Sequence, residues 1–218
     1  MAGFVIAIDG PAASGKGTIA AGLGREYGFP VLDTGLLYRA VGVSVQRQGG
    51  DPADPAAAEA AAQRLDPSQL DDPAFRTREA GEAASVAAAH PGVRIALREF
   101  QQRFARREPG VVIDGRDIGT VIAPDAPAKL FVTASPDVRA ERRFKQLKGQ
   151  GEDVAYEDIL EDVRRRDERD SARAASPLVQ AADAALLDTS QMTISQAADA
   201  ARRIVEEARA RWETSRQG

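Results

Sequence analysis

Cysteine and asparagine are absent from this chain, and histidine occurs once in 218 residues. Without thiols there is no disulfide, no thiolate metal site and no cysteine nucleophile, and His90 alone cannot build a multi-histidine metal centre. The lack of asparagine removes N-glycosylation acceptors and the Asn-Lys-x-Asp motif that reads guanine. No apolar run approaches the roughly 18 residues that suggest a membrane span, and "MAGFVIAIDG" enters a strand-like segment without a charged region or cleavage site. The expectation is a cytoplasmic protein without membrane contact. Charge of one sign is also scarce: 29 Lys and Arg stand against 33 Asp and Glu, a net of −4. A general nucleic-acid binder would carry a basic surface instead.

What is present is a regular alternation. Short apolar runs, "FVIAID" (4 to 9), "PVLD" (30 to 33), "GVVID" (110 to 114), "AKLFVTA" (128 to 134) and "AALLD" (184 to 188), are separated by longer helical stretches. This pattern predicts an α/β fold, a five-stranded parallel sheet flanked by helices. The runs ending at Asp9, Asp33 and Asp114 place acids at strand ends, where open α/β sheets bind ligands. About 75 residues between the second and third runs lack a clear strand and read as a mostly helical insertion. The expected division is core 1–38, insertion 39–109, core 110–144, a short lid 145–160 interrupted by Gly149 and Gly151, and core 161–218.

After the first run comes "GPAASGKGT": Gly10, Pro11, Ala12, Ala13, Ser14, Gly15, Lys16, Gly17, Thr18. The spacing G-x-x-x-x-G-K between a strand and a helix is a phosphate loop, whose backbone N–H groups and lysine receive a nucleotide triphosphate. The position after the lysine, usually Ser or Thr holding Mg²⁺, is Gly17. Gly-Lys-Gly-Thr resembles the nucleoside monophosphate kinases of the P-loop NTPases. That resemblance implies that Thr18 bonds phosphate while Mg²⁺ is held mainly by phosphates and water. Asp114, ending a buried strand, is the natural carboxylate for such a hydrated ion.

Four more stretches, "LDTGLLYR" (32 to 39), "IDGRDIGTVIAPDAPAKLFVTAS" (113 to 135), "RRRDERDSARAASPL" (164 to 178) and "LLDTS" (186 to 190), occur in the order found in bacterial cytidylate kinases. The chain closely resembles that family over nearly its whole length. The resemblance implies ATP-dependent phosphorylation of CMP, with dCMP as a further acceptor and ATP and Mg²⁺ as cofactors. It also implies roles for particular residues. Arg39, Arg116 and Arg173 contact the acceptor phosphate, Thr34 and Tyr38 line the CMP site, and Arg166 and Asp170 hold the ribose. Asp117, Arg94 and Ser85 match the cytosine-binding positions. Arg139 and Arg143, an i, i+4 pair before the lid, suit the donor phosphates.

The chemistry agrees. An acceptor phosphate is already ionised, so transfer needs positioning and positive charge rather than a general base. Cytosine offers an amino donor at N4 and acceptors at N3 and O2, so its pocket calls for a carboxylate and a cation; uracil reverses the pattern. On helical spacing Arg166, Arg169, Asp170 and Arg173 share one stripe, which can face a cleft as a unit. An AMP, UMP or shikimate kinase would carry a different acceptor pocket, and a GTPase would need the missing asparagine motif. Longer relatives carry a small antiparallel sheet where this chain has "LDPSQLDDPAFRTRE" (65 to 79), whose prolines disfavour strands. No apolar surface stripe is left unassigned, so the expected state is a monomer with small-molecule partners only.

Overall fold

A computed structural model describes residues 3–173 and 176–216. Five parallel strands, β1 (Phe4–Asp9), β2 (Val31–Asp33), β3 (Gly110–Gly115), β4 (Ala128–Thr133) and β5 (Ala185–Asp188), form one sheet in the order β2-β3-β1-β4-β5. Every residue of β1 is buried, because both of its faces are covered. Phe4, Ile6 and Ile8 pack with Leu23 of α1 (Lys16–Tyr27) and Val205 of α8 (Ile194–Ser215). Val5 and Ala7 pack on the other side with Phe104. A strand buried on two faces reads as an unbroken apolar run, which is why the first segment was legible.

Between β2 and β3 lie four helices: α2 (Thr34–Arg47), α3 (Pro55–Gln63), α4 (Arg78–Ala87) and α5 (Pro91–Ala105). They enclose their own core of Leu37, Val41, Ala61, Ala84, Val93 and Leu97. Helix α5 then carries Phe104 and Ala105 onto the sheet, joining the insertion to the main core. Gly42 permits close approach of α2 and α4, since a Cβ there would lie 2.7 Å from that of Ala83. Segment 65–79 contains two 3₁₀ turns, Pro67–Gln69 and Pro73–Arg76, before α4 begins. Each starts on an Asp-Pro pair, as α3 does: Asp54, Asp66 and Asp72 accept the N–H two residues on, and proline fixes the first helical φ.

Helices α6 (Pro136–Gly149) and α7 (Tyr156–Ser171) pack through Ala140, Leu147, Ile159 and Val163. Residues 145–160 therefore comprise the last turn of α6, a short connection with Gly151 at φ 84°, and the first turn of α7. No helix among the described residues is long and apolar enough to cross a membrane.

Candidate active site

The ends of β1, β2 and β3 bring three loops to one edge of the sheet, with Asp33 in register with Asp114 and Asp9 with Gly115. Gly10 leaves β1 at φ 152°, where a Cβ would sit 2.0 Å from the Val132 carbonyl oxygen. Gly15 follows at φ 94° and caps α1 without a side-chain hydrogen bond, leaving the helix N-terminus open to an anion. Ser14 is sealed within the loop and its Oγ has no partner among the described residues. Asp9 ends β1 and is buried. Its two carboxylate oxygens accept the N–H groups of Ile118 (2.8 Å) and Gly119 (2.7 Å), fastening the "DGRDIG" turn to β1.

Lys16 begins α1 and, among the described residues, makes one long hydrogen bond, 3.4 Å, to the Pro11 carbonyl. Burial and the Arg116 guanidinium lower its pKa, while Asp114 and Asp33 oppose the shift. Asp114 moves the other way, raised by burial and by Asp33, with Lys16 as its counter-charge. Its Oδ1 is buried and has no hydrogen-bond partner among the described residues. A carboxylate oxygen without a donor beside a phosphate loop fits a hydrated cation, because Mg²⁺ retains waters that would supply the missing hydrogen bonds.

Across the strand ends lies a narrow pocket of about 40 Å³. Nine of the ten residues assigned to the acceptor line it: Thr34, Tyr38, Ser85, Arg94, Arg116, Asp117, Arg166, Asp170 and Arg173. The tenth, Arg39, faces the adjoining cleft of about 680 Å³ together with Arg143 and Arg166, and donates to the Phe75 carbonyl at 3.1 Å. Arg94 pairs with Asp117 at 2.6 Å, both side chains almost completely buried, and its guanidinium lies 5.5 Å from the Tyr38 ring centre. Ser85 Oγ is buried without a partner among the described residues. Thr34 Oγ1 donates to the Asp114 carbonyl at 2.8 Å, so its hydroxyl also ties α2 to β3.

Asp170 is 1% exposed and accepts from Arg116 Nε at 2.9 Å and from Arg173. In this state its carboxylate organises two arginines. Arg166 forms no ion pair among the described residues, and burial and the nearby Arg116 push its pKa down to about 9. A buried guanidinium set among other cations is an anion site in electrostatic terms.

On the other side of the phosphate loop is a cavity of about 600 Å³, lined by Lys16, Gly17, Thr18, Arg142, Arg143, Thr189 and the start of α8. Arg143 borders both large cavities and donates to the Thr77 carbonyl at 3.3 Å. Arg139, expected beside it, lines neither. It is buried against Asp167 (2.9 and 2.5 Å), the Ala134 carbonyl (2.8 Å) and the Ala12 carbonyl (3.3 Å). Its donors are directed into the protein, joining α6, α7 and the phosphate loop. Arg142 and Thr189, to which the sequence assigns no individual role, also border the 600 Å³ cavity. The available signal was position, since Thr189 follows β5 directly.

A phosphate loop at a helix head, facing a second arginine-rich pocket over the same strand ends, defines a nucleotide-type phosphotransferase with a P-loop core. The sequence profile described as cytidylate kinase matches residues 6–207, so the chain belongs to the cytidylate kinase family. It is similar to the cytidylate kinase of Caulobacter vibrioides strain NA1000, 70% identical with 96% of this chain and 98% of that one covered. The cytidylate kinase of Xanthobacter autotrophicus strain Py2 is 66% identical, with 95% and 99% covered. The fold is shared with a solved, uncharacterized protein from Eubacterium ventriosum at TM-score 0.55 and 16% identity, covering 93% and 98% of the two chains.

Proposed function

We propose that the chain transfers the γ-phosphoryl group of ATP to the 5′-phosphate of CMP, forming ADP and CDP, and that dCMP is a second acceptor. ATP occupies the 600 Å³ cavity with its phosphates on residues 10–18, and the acceptor nucleotide reaches from the adjoining 680 Å³ cleft into the arginine-lined pocket. The observation that carries this reading is the mutual proximity of Lys16, Arg39, Arg116 and Arg166, which line three adjoining cavities. The pKa of Lys16, Arg39 and Arg166 is lowered chiefly by burial, and Arg116 adds repulsion in each case. The donor triphosphate and the acceptor monophosphate supply the missing negative charge, and the cations let the acceptor oxygen approach the γ-phosphorus.

The acceptor is an ionised phosphate, so no residue has to remove a proton. Lys16 follows charge on the migrating group, Arg39, Arg116 and Arg173 hold the acceptor phosphate, and Arg143 spans the two cavities. Asp114 would hold Mg²⁺ through water, and the ion supplies charge neutralisation on the donor phosphates when bound. At the far end of the pocket the Asp117 carboxylate accepts from cytosine N4, and Arg94 donates to N3 or O2. Uracil would turn O4 toward that carboxylate, leaving buried polar groups mismatched. Asp170 and Arg166 are placed for the ribose, and the protein works as a monomer.

A coupled assay with ATP and CMP, dCMP, UMP or AMP tests the assignment. CMP is expected to give the highest kcat/KM; faster turnover of AMP or UMP overturns the substrate.

A further inference from the structure

Arg142 and Thr189 stand outside the roles just given, yet they form a partly buried tie against the phosphate loop. Thr189 directly follows β5 and is 2% exposed. Its N–H donates to the Thr133 carbonyl at 2.8 Å, which fixes it to β4. Arg142 on α6 donates through Nη2 to the Thr189 carbonyl at 2.8 Å and through Nη1 to Thr189 Oγ1 at 3.0 Å. The same Nη1 lies 3.2 Å from the Ser14 carbonyl oxygen. With its oxygen accepting from Arg142, the Thr189 hydroxyl proton points to the Ser14 carbonyl (3.0 Å) or the Thr133 carbonyl (3.1 Å).

Arg142 Nη1, joined by the Thr189 hydroxyl in one of its two orientations, thus approaches the Ser14 carbonyl from the β5 side. In a trans peptide the C=O and the following N–H point in opposite directions. Drawing the Ser14 oxygen toward Thr189 therefore turns the Gly15 N–H away from it, toward the concave side of the loop. That N–H takes no partner among the described residues. Gly15 sits at φ 94°, where the backbone has little local preference of its own to fix the peptide.

We infer that Arg142 and Thr189 act as one positioning unit for the phosphate loop, holding the Ser14–Gly15 peptide so that the Gly15 N–H faces the donor phosphates. Arg142 is then a fastening of the loop rather than a ligand of the transferring phosphoryl group. The inference rests on the donor cavity being the ATP site.

The test is equilibrium binding of ATP and, separately, of CMP to Arg142→Lys, Arg142→Ala, Thr189→Val, Thr189→Ser and the Arg142→Ala/Thr189→Val double variant. Loss of a hydrogen bond involving a charged group corresponds to at least about tenfold. Arg142→Ala, Arg142→Lys and Thr189→Val are each expected to weaken ATP by about that factor, because lysine cannot reach Ser14 and Thr189 together. Thr189→Ser should restore near-native ATP binding, CMP affinity should stay within about twofold, and the double variant should be no weaker than the worse single one, as for residues acting as a unit. Thr189→Val with unchanged ATP affinity, or effects of the two sites that simply add, overturns the proposal; so does equal weakening of CMP. If Thr189→Val does not fold, Arg142→Lys with Thr189→Ser carries the same comparison. Failure of the wild-type protein to bind ATP would instead overturn the donor-site assignment.

Discussion

Arg94 and Asp117 meet at 2.6 Å, with 4% and 7% of their side chains exposed, at the inner end of the acceptor pocket. One comes from α5, inside the helical insertion, and the other from the turn after β3. The pair therefore joins the insertion to the core at the point where a base would be read. Asp117→Ala removes the carboxylate and leaves Arg94 buried without its counter-charge, a change of the type that costs about 3–5 kcal/mol of stability. The CMP preference over UMP is expected to fall by at least about tenfold. Parallel kcat/KM measurements check this; unchanged selectivity in a folded variant removes Asp117 from the base pocket.

Lys16→Met deletes the mobile charge of the loop while retaining an aliphatic stem. Phosphoryl transfer is expected to slow by about 10³ or more. Ligand-free thermal stability should hold or rise, because burial and Arg116 already disfavour the ammonium. A near-normal turnover number would refute the role.

Arg166→Met separates function from stability in the same way. Native Arg166 is buried beside Arg116 without an ion pair among the described residues, so its removal should raise the melting temperature of the ligand-free protein. The KM for CMP should rise by roughly 10 to 100-fold, the effect of losing a charge-assisted contact. A destabilised variant with native KM would mark Arg166 as structural.

Asp9 gives a pH dependence of stability. Burial raises its pKa from 3.8 to about 6, against the two backbone N–H groups that lower it. The folded state therefore keeps a proton that the unfolded chain releases in that window, and this group's contribution declines as pH rises through it. Thermal melts of wild type and Asp9→Asn between about pH 4 and about pH 7 should show the variant gaining relative stability with rising pH. A constant difference would show that Asp9 does not titrate there.

Much of this architecture was readable along the chain because the signals are local. The five strands appear as apolar runs, the Asp-Pro pairs that start α3 and the two 3₁₀ turns are dipeptides, and the phosphate loop is contiguous. Nine residues scattered from Thr34 to Arg173, which resemblance assigns to the acceptor, line one pocket in the fold.

Local sequence determined the strands, the helix starts, the phosphate loop and the chemical kinds of side chain available for two anionic substrates. Tertiary structure decided which arginines face the cavities. Arg139, Arg142 and Arg143 lie within one stretch of α6 and look alike in sequence, yet Arg139 is saturated by Asp167, Arg142 ties Ser14 to Thr189, and only Arg143 borders both clefts. The physical reason is that a guanidinium is directed by whatever acceptors surround it. Here those acceptors come from β5, α7 and the phosphate loop, segments far away along the chain that only the fold brings together.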